Sequence, residues 1–450
     1  MNLVIIGVGK VGQTLIENLI NEKHDIVVVD IDAVKVSAAV NHYDVKGVVG
    51  SGLERRVLLD AGVDKADFVI ASTNRDEMNI LCCVLARKLG AKRTIARVRD
   101  PEYFKEMENM REDLGLDYFF NPELQTAMEI AQVLKFPSAK KVESFAGGRA
   151  NMVEFSVTEN NPLIGKTLMQ ISKEYGNKIL IGMVERGKEA IIPRGDFIVN
   201  LGDCVHIIGA EQEIALFAKK LKIFKRKAKS VFIIGGGKIA YYLSKQISSI
   251  GTSVKIVEKD EQRAAELAEA LPQSTVLCCD GTDHEALQEE KFKDSDALIA
   301  LTGVDEENVI VSLYAKEQGV DKVVAKVDRP TIMNMVKSMG IDTVLSPRTV
   351  IADHIVRFVR ANQTANQSGI ITLYRLHDMV EVVEFSVGEE FEYLGFPLKD
   401  MPIKRGILVG GIVRDKEFIL PTGFSSFERG DRVIIVTSVK HITELKQILR

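Results

Sequence analysis

Short runs of valine and isoleucine recur through the first part of the chain, as LVII at 3–6, IVVVD at 26–30, FVIAS at 68–72 and TIARV at 94–98. Amphipathic stretches separate them, and that rhythm predicts strands alternating with helices in a parallel sheet. An Asn-Pro step near residue 121 opens a helical segment ending at Pro137, and Ser346-Pro347 opens a second one. From about residue 150 to 222, and again from about 380 to 450, the texture changes to short β-like runs between glycine-rich turns, as in ILIGMVERGKEAIIPRGDFIVNLGDCVHIIG. Those stretches predict compact α+β modules with little helix.

Compared with itself, the chain is a duplication. LVIIGVGKVG at 3–12 returns as VFIIGGGKIA at 231–240, which places Gly7 opposite Gly235, 228 residues on. The correspondence continues through Asp30 and Glu258, AST at 71–73 and ALT at 300–302, EFSV at 154–157 and at 384–387, and Gly202-Asp203 and Gly430-Asp431. The offset drifts by no more than two residues, so a whole unit is repeated, at a period too long for a solenoid. The expected fold class is α/β, with duplicated Rossmann-type parallel-sheet domains each followed by a small α+β domain. The expected organisation is a Rossmann domain over 1–120, a connecting helix over 121–140 and a small domain over 141–224, then the same series over 230–345, 346–366 and 367–450. Between the units, KIFKRKAK at 222–229 reads as a solvated linker, with a docking segment as the alternative.

With 46% hydrophobic and 27% charged residues among 450, the composition is that of ordinary globular protein with room for several cores. A net charge of −4 supplies no basic excess, so no nucleic-acid partner is expected. The apolar runs fall far short of the roughly 18–20 residues that a membrane-spanning helix needs. The N-terminus opens on a strand-like run rather than a secretory signal, and a cytoplasmic location is expected. Cys82, Cys83, Cys204, Cys278 and Cys279 form an odd set with two adjacent pairs. They match neither a disulfide framework nor a CxxC metal spacing, and read as small buried hydrophobes.

The motif that carries most chemistry is G-x-G-x-x-G, here Gly7, Gly9 and Gly12, directly after the run at 3–6. The first glycine permits a tight turn, the second lets the backbone approach a pyrophosphate, and the third allows close packing of helix on strand. A helix opening near Lys10 would aim its free N–H groups at phosphate oxygens. Asp30, about 20 residues on, ends the second strand, where an acid accepts hydrogen bonds from ribose hydroxyls and repels a 2′-phosphate, so NAD(H) is expected over NADP(H). The second copy has Gly235, Gly237 and Ala240, with Gly236, Lys238 and Ile239 in the same loop and Glu258 as the acid. Lys259 offsets part of that acid's selectivity. The alternative for both copies is a Rossmann fold that keeps its glycines for packing alone.

Two further recurrences lie at strand ends, where doubly wound sheets place ligands. Thr73 and Asn74 are followed by Asp76, Glu77 and Asn79; Thr302 and Gly303 are followed by Asp305, Glu306 and Asn308. Thr73 and Asn74 read either as ribose or phosphate contacts or as helix caps. Arg97 and Arg99 can hold a phosphate between them, whereas Lys326 and Asp328, at the same places in the second copy, make a weaker anion site. Catalytic chemistry is not visible. None of the seven histidines falls opposite another, His206 for example meeting Ile434, and neither a metal-ligand spacing nor a nucleophile motif is present.

A Rossmann half with G-x-G-x-x-G, Asp30 and AST-N, followed by EFSV, NPLIGKTL and PRGDFIVNLGDCVHIIG and present twice, resembles the TrkA family of potassium-uptake regulators over essentially the whole chain. The resemblance implies two units of the domain that regulates K⁺ conductance. It further implies a cytoplasmic, peripheral subunit, homotetrameric, whose regulatory domains form a ring beneath a membrane K⁺-translocating Trk subunit. It implies binding of NAD(H), and of ATP or ADP, in the Rossmann crevices, with Gly7, Val8, Gly9, Lys10, Val11, Asp30, Thr73, Asn74 and Arg97 as contacts. Ala240, Gly303, Lys326 and Asp328 depart from that pattern in the second copy. A fused NAD-dependent oxidoreductase and a stand-alone nucleotide sensor are the other readings.

Overall fold

The computed structural model describes every residue except 137–138, 177, 188, 222–227, 337–338, 363–369, 378–379 and 441. Pro137, most of the charged stretch 222–229 and the boundary between 346–366 and 367–450 therefore lie outside the described residues. The chain divides into two compact units, Met1–Ala127 with Leu345–Val356, and Met128–Val344 with Arg357–Arg450.

The alternating runs at the start fold as a six-stranded sheet. Its strands are β1 (Asn2–Ile6), β2 (Asp25–Asp30), β3 (Lys46–Val49), β4 (Phe68–Ala71), β5 (Thr94–Arg97) and β6 (Tyr118–Phe120), in the order β3-β2-β1-β4-β5-β6. Neighbours pair in parallel. Every residue of β4 is buried, which is why FVIA has no polar position: helices cover both faces of a central parallel strand. Chain order reverses between β1 and β4, and the crevice that opens there, beyond the carboxyl ends of the strands, is where such sheets bind ligands.

An antiparallel sheet follows, with β7 (Val142–Phe145), β8 (Ala150–Ser156), β9 (Ile179–Arg186), β10 (Glu189–Ile191) and β11 (Cys204–Gly209) in the order β10-β9-β11-β8-β7. Val153, Phe155, Val205 and Ile207 point to one face, where Ile214 and Phe217 of the helix Glu211–Lys220 complete the core. The helix Leu168–Tyr175 starts at a capping box, Thr167 with Gln170.

Both sheets recur. The second parallel sheet holds β12 (Ser230–Ile234), β13 (Ser253–Glu258), β14 (Thr275–Cys278), β15 (Ala297–Ala300), β16 (Lys322–Lys326) and β17 (Thr343–Leu345), in the order β14-β13-β12-β15-β16-β17. The second antiparallel sheet holds β18 (Ile370–His377), β19 (Val380–Ser386), β20 (Ile407–Arg414), β21 (Glu417–Ile419) and β22 (Arg432–Thr437). The fold is thus a duplicated α/β array, as its sequence rhythm predicts. In the last module only short 3₁₀ turns, Leu398–Asp400 and Leu445–Ile448, stand where its counterpart has helices.

Within the second unit the two antiparallel sheets share an apolar cluster in which Met152, Met183 and Ile208 meet Val382, Ile434 and Val436. Polar contacts border it. Tyr374 donates from its hydroxyl to the Ser144 carbonyl at 3.0 Å, and the Ala146 N–H donates to Glu384 Oε2 at 3.2 Å. The expectation of five buried cysteines needs correction: Cys82 and Cys83 are buried in the first Rossmann core, but Cys278 is exposed and Cys204 and Cys279 are half-buried. Cys82 and Cys83 lie in the helix Asp76–Leu89, whereas Cys204 opens β11 and Cys278 and Cys279 lie at the end of the edge strand β14.

The recurring Gly-Asp pair marks a repeated clamp. Arg186 donates from Nε and Nη2 to Asp203 at 2.8 Å each, and Arg414 does the same to Asp431. Burial alone would raise the Asp203 carboxyl, but the Arg186 guanidinium and the Asn200 N–H hold it below the usual carboxylate range. A depressed carboxyl contributes its full stability above its unfolded pKa of about 4, and loses it as the pH falls through the lower folded value. Arg186→Met is expected to cost about 2 kcal/mol near neutral pH. Urea midpoints of variant and parent should converge as the solution is acidified, and a gap that stayed constant through acid would contradict this account.

Candidate functional site

The two turns at the switch points are built alike. Gly7 has φ of 98°, a conformation that L side chains rarely adopt, and a Cβ there would lie 2.8 Å from the Thr73 nitrogen. A Cβ on Gly12 would lie 2.0 Å from the Gly7 carbonyl oxygen, because helix and turn press together. Gly9 differs. Its backbone is ordinary and extended (φ −79°, ψ −171°), and a Cβ there would meet nothing within 4 Å. Protein packing does not ask for a glycine at position 9, whereas a ligand lying against the backbone would. The helix Lys10–Ile20 begins at Gly9 without a side-chain cap and with no acid in its first turn, leaving a locally positive end for an anion. Val8, Val11 and Gly12 are buried, and Lys10 is exposed.

Asp30 reaches back from the end of β2 into this turn. Its Oδ2 accepts from the Val8 N–H at 2.7 Å and its Oδ1 from the Asp32 N–H at 2.9 Å. Each carboxylate oxygen keeps a second lone pair, so bracing the turn leaves the group able to accept a ribose hydroxyl.

The opposite wall lies beyond β4 and β5. Strand β4 stops at Ala71, which puts Thr73 and Asn74 in the loop after it. The buried Asn79 organises this loop: its Oδ1 accepts from the Thr73 N–H and hydroxyl at 2.7 Å, and its Nδ2 donates to the Arg97 carbonyl at 3.0 Å. Asp76 Oδ2 accepts from the N–H groups of Arg99 and Asp100 at 2.8 and 2.9 Å. Arg97 and Arg99 donate to the carbonyls of Thr73 and Asn74 at 3.4 Å. Burial and the neighbouring Arg99 charge lower the Arg97 guanidinium from its ordinary value, and its Nε has no hydrogen-bond partner among the described residues. Glu123, 3.8 Å from Arg99, offsets part of the positive charge.

The second copy repeats the braces and changes the cations. Gly235 has φ of 99°, a Cβ on Gly237 would meet nothing within 4 Å, and Glu258 Oε2 accepts from the Gly236 N–H at 2.7 Å. Asn308 accepts from the Thr302 N–H at 2.8 Å and donates to the Lys326 carbonyl at 2.9 Å. Lys238 and Ile239 open the helix Lys238–Ser248, the first half-buried and the second buried. Gly235, Gly236, Gly237, Glu258 and Thr302 line one cavity of about 330 Å³, within the range of small-ligand sites. No guanidinium pair stands at the end of β16: Asp305 receives the N–H groups of Asp328 and Arg329, and Arg329 pairs with Glu306.

The structure thus brings Gly7, Gly9, Gly12, Asp30 and Thr73 to one crevice, and Gly235, Gly237, Glu258 and Thr302 to another. Asn79, Asp76 and their counterparts, which recur in the sequence, fasten the ends of neighbouring strands. Their spacing after a conserved-offset threonine, identical in both copies, is the signal that could have revealed it.

Comparison with known proteins gives a consistent result. The TrkA-N domain family matches residues 3–122 and 231–347, and the TrkA-C domain family matches 152–222 and 382–450. A Trk system potassium uptake protein TrkA homolog from Archaeoglobus fulgidus is 32% identical over 450 residues, spanning 100% of both chains. The Trk system potassium uptake protein TrkA of Haemophilus influenzae is 29% identical, over 100% of this chain and 99% of its own. The solved structure of the GsuK channel bound to NAD superposes with a TM-score of 0.63 at 18% identity, over 97% of this chain and 76% of that one. GsuK bound to ADP gives 0.51 at 16% identity, over 80% and 69%. At such identities the structural likeness speaks for the fold.

The open space at Gly9 and Gly237 separates a ligand role from a packing role. Gly9→Val and Gly237→Val are each expected to change stability by less than about 0.5 kcal/mol, while abolishing nucleotide binding at the altered crevice. Parallel thermal melts and calorimetric titrations check both halves of this expectation. Unchanged binding in the valine variants would return these glycines to a structural role.

Proposed function

The chain belongs to the TrkA family, and from that membership we propose that it is a nucleotide-responsive regulatory subunit of a potassium uptake system. The observation that carries the reading is the pair of glycine turns, each braced by a strand-end carboxylate and each with one glycine that faces space rather than protein. NAD(H) is the proposed ligand, its pyrophosphate over Gly7 to Gly12 and its ribose on Asp30. ATP or ADP is the proposed alternative occupant, with Arg97 and Arg99 meeting the outer phosphates. That GsuK has been solved with NAD and with ADP supports the choice of these ligands for testing.

No described helix is long and apolar enough to cross a membrane. We assign translocation of K⁺ to a separate membrane Trk subunit, with this chain docked peripherally on its cytoplasmic side as a homotetrameric ring. The proposed device is a hinge. The helices Pro122–Lys135 and Pro347–Ala361 each follow the last strand of a parallel sheet, β6 and β17. A nucleotide that grips the glycine turn and the β5 end together favours one setting of those helices, by no more than its differential affinity for the two settings, typically about 1–3 kcal/mol. The reaction scheme contains no bond making or breaking.

Calorimetric titration of NADH, NAD⁺, ATP and ADP into the purified chain tests the reading. Asp30→Ala is expected to weaken NADH about tenfold, and Arg97→Ala to weaken ATP about 10- to 100-fold, the loss of one charge-assisted hydrogen bond. Retention of none of the four nucleotides, or turnover of a carbonyl substrate with NADH, would sink the proposal.

A further inference from the structure

The antiparallel sheet of the first small domain brings four metal-ligating side chains onto one face. In its register Glu154 of β8 lies directly opposite His206 of β11, and Glu185 of β9 lies directly opposite Cys204 of β11. Side chains two apart share a face, so Cys204 and His206 stand side by side between the two glutamates. Cys204 Sγ lies 3.1 Å from Glu154 Oε1, and His206 Nε2 lies 3.1 Å from Glu185 Oε1. One donor atom each from Glu154, Cys204 and His206 all fall within 4.8 Å of one another. Donors around a tetrahedral zinc stand roughly 3.3–3.8 Å apart, near the spacing of these three, and Glu185 stands beside His206 as a fourth donor. The His206 side chain is 3% exposed and that of Glu185 29%, which gives a nearly buried ligand and an open approach.

The second copy shows what this face looks like when it carries its own cation. Glu384 corresponds to Glu154, but Arg432 stands where Cys204 does, Ile434 where His206 does and Val413 where Glu185 does. Arg432 pairs with the buried Glu384. In the first copy that built-in guanidinium is replaced by a thiol and an imidazole, and a second carboxylate is added. The nearby cationic side chain is Lys140, exposed at the end of the sheet. Thiolate, imidazole and carboxylate together suit a borderline-soft divalent ion rather than calcium or magnesium.

We propose that Glu154, Glu185, Cys204 and His206 form a binding site for a zinc-class divalent cation, present in the first small domain only. Binding releases the thiol proton to solvent and ties β8, β9 and β11 together. Met152, Met183 and Ile208, on the same strands and the same face, belong to the apolar cluster shared with the second small domain, so the ion sits beside that shared surface.

The test uses the full chain, stripped with a chelator, in a Cys278→Ser/Cys279→Ser background that removes the other accessible thiols. Cobalt(II) serves as the optical probe, and zinc is titrated against a chromophoric chelator. One equivalent of cobalt per chain is expected, with a thiolate-to-metal charge-transfer band that Cys204→Ser abolishes. Zinc affinity should fall about 100-fold in Cys204→Ser and at least about tenfold in Glu154→Gln or Glu185→Gln. Glu154→Gln keeps side-chain size and provides the readout if Cys204→Ser fails to fold, as monitored by nucleotide binding. Absence of a one-equivalent site in the parent overturns the proposal, as does a band or affinity unchanged in the variants.

Discussion

A carboxylate at the end of the second strand of each parallel sheet holds the neighbouring turn in shape. Asp30 accepts the Val8 N–H, and Glu258 accepts the Gly236 N–H, each through an oxygen less than 3 Å away. The brace adds a side-chain tie to the backbone one that the Gly7 and Gly235 N–H groups make to the carbonyls of Val29 and Val257, in a turn whose first glycine sits in a left-handed conformation. The same two acids are the groups that would read a ribose, so the scaffold of the crevice and its selectivity depend on one side chain.

The duplicated units diverge unevenly, and the pattern of divergence is informative. Features that fasten strands to one another are kept: Asn79 and Asn308, Asp76 and Asp305, and the clamps Arg186–Asp203 and Arg414–Asp431. Charged and metal-ligating groups outside those fastenings differ. Arg97 and Arg99 become Lys326 and Asp328, and the Cys204–His206 pair becomes Arg432 and Ile434. Each repeat holds its fold by shared physics while presenting different charge at its crevice.

How much of this was legible from the sequence follows from the range of each interaction. The glycine turns, the acid after the second strand and the two-sheet repeat are local or periodic, and spacing alone exposes them. The role of Asn79 is not local, because its partners, Thr73 and the Arg97 carbonyl, are joined only when β4 and β5 lie side by side. The set of Glu154, Glu185, Cys204 and His206 was invisible for a stronger reason. It is assembled by antiparallel register across three strands, and no linear spacing encodes a register. Cys278 ends a short edge strand that holds no fully buried residue, and composition says nothing about where in a sheet a strand lies.

The apolar surface shared by the two antiparallel sheets joins modules that descend from one ancestor yet reside in one polypeptide. Had two identical subunits met there, every substitution would have appeared on both sides of the symmetry axis, and a cysteine on one side would have faced a cysteine environment on the other. Covalent fusion lifts that restriction. Each half of the seam can then change without a matching change in the other.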